Sequence, residues 1–64
     1  LMNIYFPELL PRKKAMIIFG FSRKKIEKLA KDGTVRTYIT KGGHRRYFRN
    51  DLIKIFNEEL QKQY

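Results

Sequence analysis

Residues 20–48 read GFSRKKIEKLAKDGTVRTYITKGGHRRYF, and this stretch decides the fold. Ser22 is a good N-cap for a helix over Arg23–Lys31, because its hydroxyl can accept from an otherwise orphaned backbone N–H. Within that helix Ile26, Leu29 and Ala30 fall at i, i+3 and i+4 and form one narrow apolar stripe. At roughly 100° per residue, Lys24, Lys28 and Lys31 lie on the opposite side, with Arg23 and Lys25 flanking. Glu27 and Asp32 are the acids that offset them, and Asp32-Gly33 reads as the stop. Val35–Thr40 is rich in β-branched and aromatic residues and predicts a strand. Lys41-Gly42-Gly43-His44 supplies a turn, and His44–Phe48 returns as a second strand. With Gly42-Gly43 as a two-residue loop, Tyr38 opposes Tyr47 and Thr37 opposes Phe48; a slip of one residue would exchange the two faces. Arg36 on the first strand and Arg45-Arg46 on the second repel one another, which points to an anionic partner.

Working outward, Pro11 suits the first turn of an earlier helix, Pro11–Phe19. Ala15, Met16, Ile18 and Phe19 are expected on its buried side. Ile17 makes it apolar almost all round, a hint of a second contact surface. Gly20 then stops the helix cheaply. Only Gly20-Phe21-Ser22 links the two helices, and a short glycine-containing turn into a basic helix is a helix-turn-helix pattern. Downstream, Leu52, Ile53, Ile55, Phe56 and Leu60 predict a third helix over about 50–61 that closes the core, with Asp51 favourable in its first turn. The expected organisation is an N-terminal apolar segment, 1–10, and a single domain, 11–63.

Charge sharpens this reading. The chain has 64 residues with 15 Lys/Arg, 6 Asp/Glu, one His and no Cys. Residues 12–49 hold 13 of the basic and 2 of the acidic side chains, so the net +9 sits entirely in the middle of the chain. A basic block interrupted by apolar residues at core spacing reads as a folded surface for a polyanion. Without Cys there is no disulfide, thiolate zinc site or thiol nucleophile. One His and scattered acids do not predict a metal centre, a catalytic set or any cofactor site. The longest apolar run, Ala15–Phe19, is five residues, far from the roughly 20 of a membrane span. No membrane partner is expected.

The order helix, turn, basic helix, hairpin, helix resembles the winged helix-turn-helix domain of MerR-type regulators. Phage and transposon excisionases share that domain, as do the N-terminal domains of some mobile-element serine recombinases. Gly20-Phe21-Ser22-Arg23, Gly42-Gly43-His44-Arg45-Arg46-Tyr47 and Asp51-Leu52 carry the likeness, which covers about 12–62. It implies a small α+β fold, three helices with a two-stranded antiparallel hairpin (the wing) between the second and third. It also implies a double-stranded DNA-binding module, not an enzyme, serving transcription regulation or DNA recombination and transposition. The second helix would lie in the major groove, with Ser22, Arg23, Lys24, Lys25, Lys28 and Lys31 there. The wing would lie on phosphates and the edge of the minor groove, through Arg36, Lys41, Gly42, Gly43, His44, Arg45, Arg46 and Tyr47. The implied partners are duplex DNA and, for tighter binding, a homodimer, cooperative assembly on DNA or attachment to a larger protein. The implied location is cytoplasmic, at a prokaryotic nucleoid or encoded by a phage or mobile element. The chain departs from the family where the usual Ser/Thr/Asp-like cap of the last helix is replaced by Phe48 or displaced to Asn50. These residues also supply no long dimerising helix, effector domain or recombinase catalytic domain.

Each residue has a plainer reading. Tyr38 and Tyr47 read as core-edge packing before base contact, and His44 as a turn-flanking hydrogen bonder before a base reader. Lys13, Lys14 and Lys31 read as steering charge, and Arg36 as a phosphate binder or a side chain lying along the sheet. Leu9, Leu10 and Ile17 are expected in the core, with a partner surface as the alternative. Two other functions compete: a structured-RNA or ribosome-binding basic domain, and an interaction module docking on an acidic partner.

Overall fold

The computed structural model describes residues 8–62. Among them six elements follow one another: β1 (Leu9–Pro11), α1 (Arg12–Phe19), α2 (Arg23–Lys31), β2 (Thr37–Ile39), β3 (Arg45–Phe48) and α3 (Arg49–Lys62). The chain is a small α+β structure, three helices on a three-stranded antiparallel sheet of order β1-β3-β2.

The third strand corrects the expectation of a two-stranded hairpin. Leu9, Leu10 and Pro11 pair with Phe48, Tyr47 and Arg46, and Arg49 N–H donates to Glu8 C=O at 2.7 Å to extend the ladder. Pro11 therefore ends an edge strand, where its missing N–H is tolerated, and serves as N-cap of α1 with extended backbone rather than as its first residue. The remainder of the apolar segment, residues 1–7, lies outside the described residues.

The hairpin register differs by one residue from the two-residue-loop expectation. Thr37 opposes Tyr47, Tyr38 opposes Arg46, and Ile39 opposes Arg45. The loop holds three residues, 41–43: Gly43 N–H donates to Thr40 C=O at 2.9 Å and Thr40 N–H to His44 C=O at 2.8 Å. Only Gly43 takes a positive φ, +86°, the left-handed position that closes a three-residue hairpin. The predicted first strand also shortens. Val35 is not in it but turns back, its N–H bonded to Leu29 C=O at the end of α2, and is buried.

Because strand side chains alternate, this register puts Leu10, Tyr47 and Thr37 in one cross-strand row on the core face. Tyr38 goes to the other face, beside Arg46, and is 53% exposed. Leu10, Ala15, Phe21, Ile26, Val35, Tyr47 and Leu52 form the core, with Met16, Phe19, Leu29, Ala30 and Ile55 packed against it. Each element gives at most a few residues, so the core is one small cluster shared by every element except β2. On α1, Ile18 is exposed rather than buried, and Ile17 is 72% exposed rather than in the core. The core takes Ala15 of that helix, with Met16 and Phe19 packed against it, and the Ile17–Ile18 side is left outward. The third helix begins directly after β3 with no residue between them. No helix of the described residues is long and apolar enough to cross a membrane.

Candidate nucleic-acid interface

The short basic helix is positioned from both ends. Ser22 Oγ accepts from Lys25 N–H at 3.1 Å, the N-cap its sequence predicts. Gly20, at φ +70°, ends α1 by donating to Met16 C=O. Phe21 between them is buried, so the turn is anchored to the core rather than hinged. With Ile26 fully buried beneath it, α2 turns Lys24, Lys28 and Lys31 outward.

The flanks of α2 are tied by carboxylates. On one side Glu27 Oε2 accepts from Arg23 Nε at 3.1 Å and from Arg12 Nη1 of α1 at 3.2 Å. On the other, Lys25 pairs with Glu59 of α3, and its ammonium stands 4.7 Å from the Phe21 ring centroid. Lys28 lies 3.7 Å from Asp32, one turn on. Half-exposed pairs of this kind add little stability each. Their consequence is orientation: Arg23 and Lys25 are steered sideways, while Lys24 and Lys31 have no ionic partner among the described residues.

The hairpin carries its charge differently. Lys41, Arg45 and Arg46 have no carboxylate within ion-pair distance among the described residues, and β2 to β3 contains no acid. His44 N–H donates to Thr40 Oγ1 at 3.1 Å, so it flanks the turn. A Cβ on Gly42 would stand 3.4 Å from the His44 ring, whereas one on Gly43 would meet open space but sit on strained backbone. Tyr47, grouped with the wing by sequence, is 2% exposed and belongs to the core. Its ring is not at the surface where a ligand would lie.

Arg36 is spent at the other end of β2. Its Nε and Nη2 donate to the two Asp51 oxygens at 2.9 and 3.0 Å, and its backbone N–H donates to Asp51 at 2.8 Å. The guanidinium also lies 4.5 Å above the Phe48 ring. The Arg36 hydrogen bond holds the Asp51 carboxyl below the usual carboxylate range, helped by the nearby charges of Arg36 and Lys54. The same bond raises Arg36. This latch fastens the start of the hairpin to the first turn of α3.

The 14 sequence-predicted residues thus divide into an outward helical face, a hairpin tip without carboxylate partners among the described residues, side chains already engaged by carboxylates, the capping Ser22 and one core tyrosine. Arg12 and the bridging role of Glu27 were not legible, because the two are 15 residues apart and meet only where α1 packs on α2. The Arg23–Glu27 pair at i,i+4 was the available signal. An open cleft of about 290 Å³ lies between Phe19, Phe21, Phe56 and Leu60, with the Lys25–Glu59 pair on its wall. No three potential metal ligands converge among the described residues. No family model, curated protein or solved structure matches the chain.

Proposed function

We propose that the chain is a double-stranded DNA-binding module of the winged helix-turn-helix kind, acting by recognition and not by catalysis. One observation carries the reading: two cationic groups of different character, the outward face of α2 and the unpaired tip of the hairpin, share one small core. An α-helix fits the roughly 12 Å major groove, where Lys24, Lys28 and Lys31 would meet base edges and phosphates. Lys41, Arg45 and Arg46, with the close-approaching Gly42-Gly43 backbone and His44, would lie on phosphates at the minor-groove edge. The role is transcription regulation or site-specific recombination and transposition. A lone module of this size covers on the order of 600–1,000 Å². High specificity then requires a homodimer, cooperative assembly on DNA or attachment to a larger protein.

One feature favours the RNA reading instead. Tyr38 stands half-exposed beside Arg46 on the outer sheet face, a place where an unpaired base could stack. Competition separates the two. Labelled duplex DNA is titrated with the protein over about 50–300 mM salt and then challenged with unlabelled duplex DNA, duplex RNA or single strands. Neutralising roughly 6–8 phosphates gives a slope of log K against log[salt] of about −5 to −7, with duplex DNA the best competitor. RNA competing as well as duplex DNA would defeat the proposal.

A further inference from the structure

Arg12 opens α1 and Arg23 opens α2, yet one atom gathers both. Glu27 Oε2 lies 3.2 Å from Arg12 Nη1 and 3.1 Å from Arg23 Nε. All three side chains stay partly open to solvent, at 43%, 65% and 47% of their area. Each guanidinium has five N–H donors in a rigid fork and spends one of them here on Glu27. Both forks meet the same oxygen, so the two guanidiniums stand close together with their other donors not spent on Glu27. The trio carries a net charge of one, the complement of a single phosphodiester.

We infer that Arg12 and Arg23 form a two-guanidinium clasp for one DNA backbone phosphate, and that Glu27 is the residue that positions it. The inference rests on the duplex-binding reading and adds to it a phosphate contact that draws in Arg12 of α1, a residue outside both α2 and the hairpin. Paired guanidiniums suit a phosphate because each can donate two parallel N–H···O bonds, which fixes direction as well as charge. Carboxylates near a polyanion ordinarily weaken binding. Glu27 instead strengthens it, by holding two flexible side chains in the geometry the phosphate needs.

Glu27→Gln and Glu27→Ala remove the same charge, but the amide oxygen of Gln can still accept from both arginines and Ala cannot. The test is duplex binding by fluorescence anisotropy across a salt series for wild type, Arg12→Ala, Lys13→Ala, Glu27→Gln and Glu27→Ala, with thermal unfolding of each variant as a folding control. Lys13 loses the same charge as Arg12 but points about 100° around the helix. Arg12→Ala is expected to flatten the salt slope by about 1 and weaken all duplexes alike, and Lys13→Ala to flatten it by clearly less. Glu27→Ala is expected to bind roughly three- to tenfold more weakly than Glu27→Gln. The clasp is overturned if Arg12→Ala and Lys13→Ala behave alike, or if the two Glu27 variants bind equally. If the wild type binds no duplex at all, it is the duplex reading that falls.

Discussion

The helix α2 and the β2–β3 hairpin are both cationic, but they hold their cations in opposite ways. Around α2 four cations, Arg12 of α1 with Arg23, Lys25 and Lys28, meet three carboxylates, Glu27 and Asp32 from the helix and its cap and Glu59 from α3; a further pair, Arg36 with Asp51, lies below the hairpin instead. The hairpin tip has Lys41, Arg45 and Arg46 with no acid between them. On α2 the pairs hold Arg23 and Lys25 to the flanks and leave Lys24 and Lys31 on the outward face, whereas at the hairpin tip Lys41, Arg45 and Arg46 all lack a carboxylate partner among the described residues. Under the proposed duplex-binding reading, the helix face held by its flanking pairs would read bases and the hairpin tip would grip phosphates.

The contrast depends first on both regions hanging from one core. Ile26 seats α2 and is fully buried, and Tyr47 seats the hairpin. Ile26→Ala is expected to cost about 2–5 kcal/mol, a large share of the roughly 5–15 kcal/mol a domain has. Circular dichroism during heating should show the whole chain melting earlier in one transition. A hairpin signal surviving after the helices melt would break the comparison, because the two regions would then be independent.

Next is the latch that fixes the hairpin's base. Asp51→Ala removes the acceptor for Arg36 and is expected to cost about 2 kcal/mol, lowering the melting temperature by roughly 5–15 °C. The pH dependence has a definite sign. The folded pKa of Asp51 is depressed, so its stabilisation is fully present above the unfolded value of about 4 and disappears as pH falls through the lower folded value. The melting-temperature gap between wild type and variant should therefore be constant near neutrality and close in acid.

Binding variants sharpen the comparison directly. Arg45→Ala and Arg46→Ala are each expected to weaken every duplex roughly three- to tenfold at about 0.1 M salt and to flatten the salt slope by about 1. Lys24→Ala and Lys28→Ala should also change which base pairs are preferred, as read by competition among single-position variants of a binding site. Smallest is Gly43→Ala, which forces a side chain into a +86° φ. It is expected to cost about 1 kcal/mol of stability and to weaken binding without altering sequence preference.

Much of this was legible in the sequence, and what was not has physical reasons. Ser22, the Ile26–Leu29–Ala30 stripe and Gly20 gave α2 and its turn because caps and i,i+3,i+4 spacing are local properties. The strand at Leu9–Pro11 was missed because three residues have too few alternations to show a period, and because Pro11 is as good at a helix start as at a strand edge. The hairpin register slipped because Gly42-Gly43 serves a two- or a three-residue loop equally well; Thr40, whose hydroxyl accepts from His44, decides it. On the surface, charge counted along the chain could not show which cations were already spent. Arg36, Lys25 and Arg12 find their carboxylates 15 to 34 residues away.

The most direct test is selection from a random-sequence duplex pool, run side by side with the wild type, the Arg45→Ala/Arg46→Ala double variant and Lys24→Ala. The division between a reading helix and a gripping hairpin predicts one enriched motif for the wild type. The double variant should enrich the same motif at lower yield, and Lys24→Ala an altered one. No enrichment by the wild type, or a motif changed by the hairpin variant and untouched by Lys24→Ala, would contradict it.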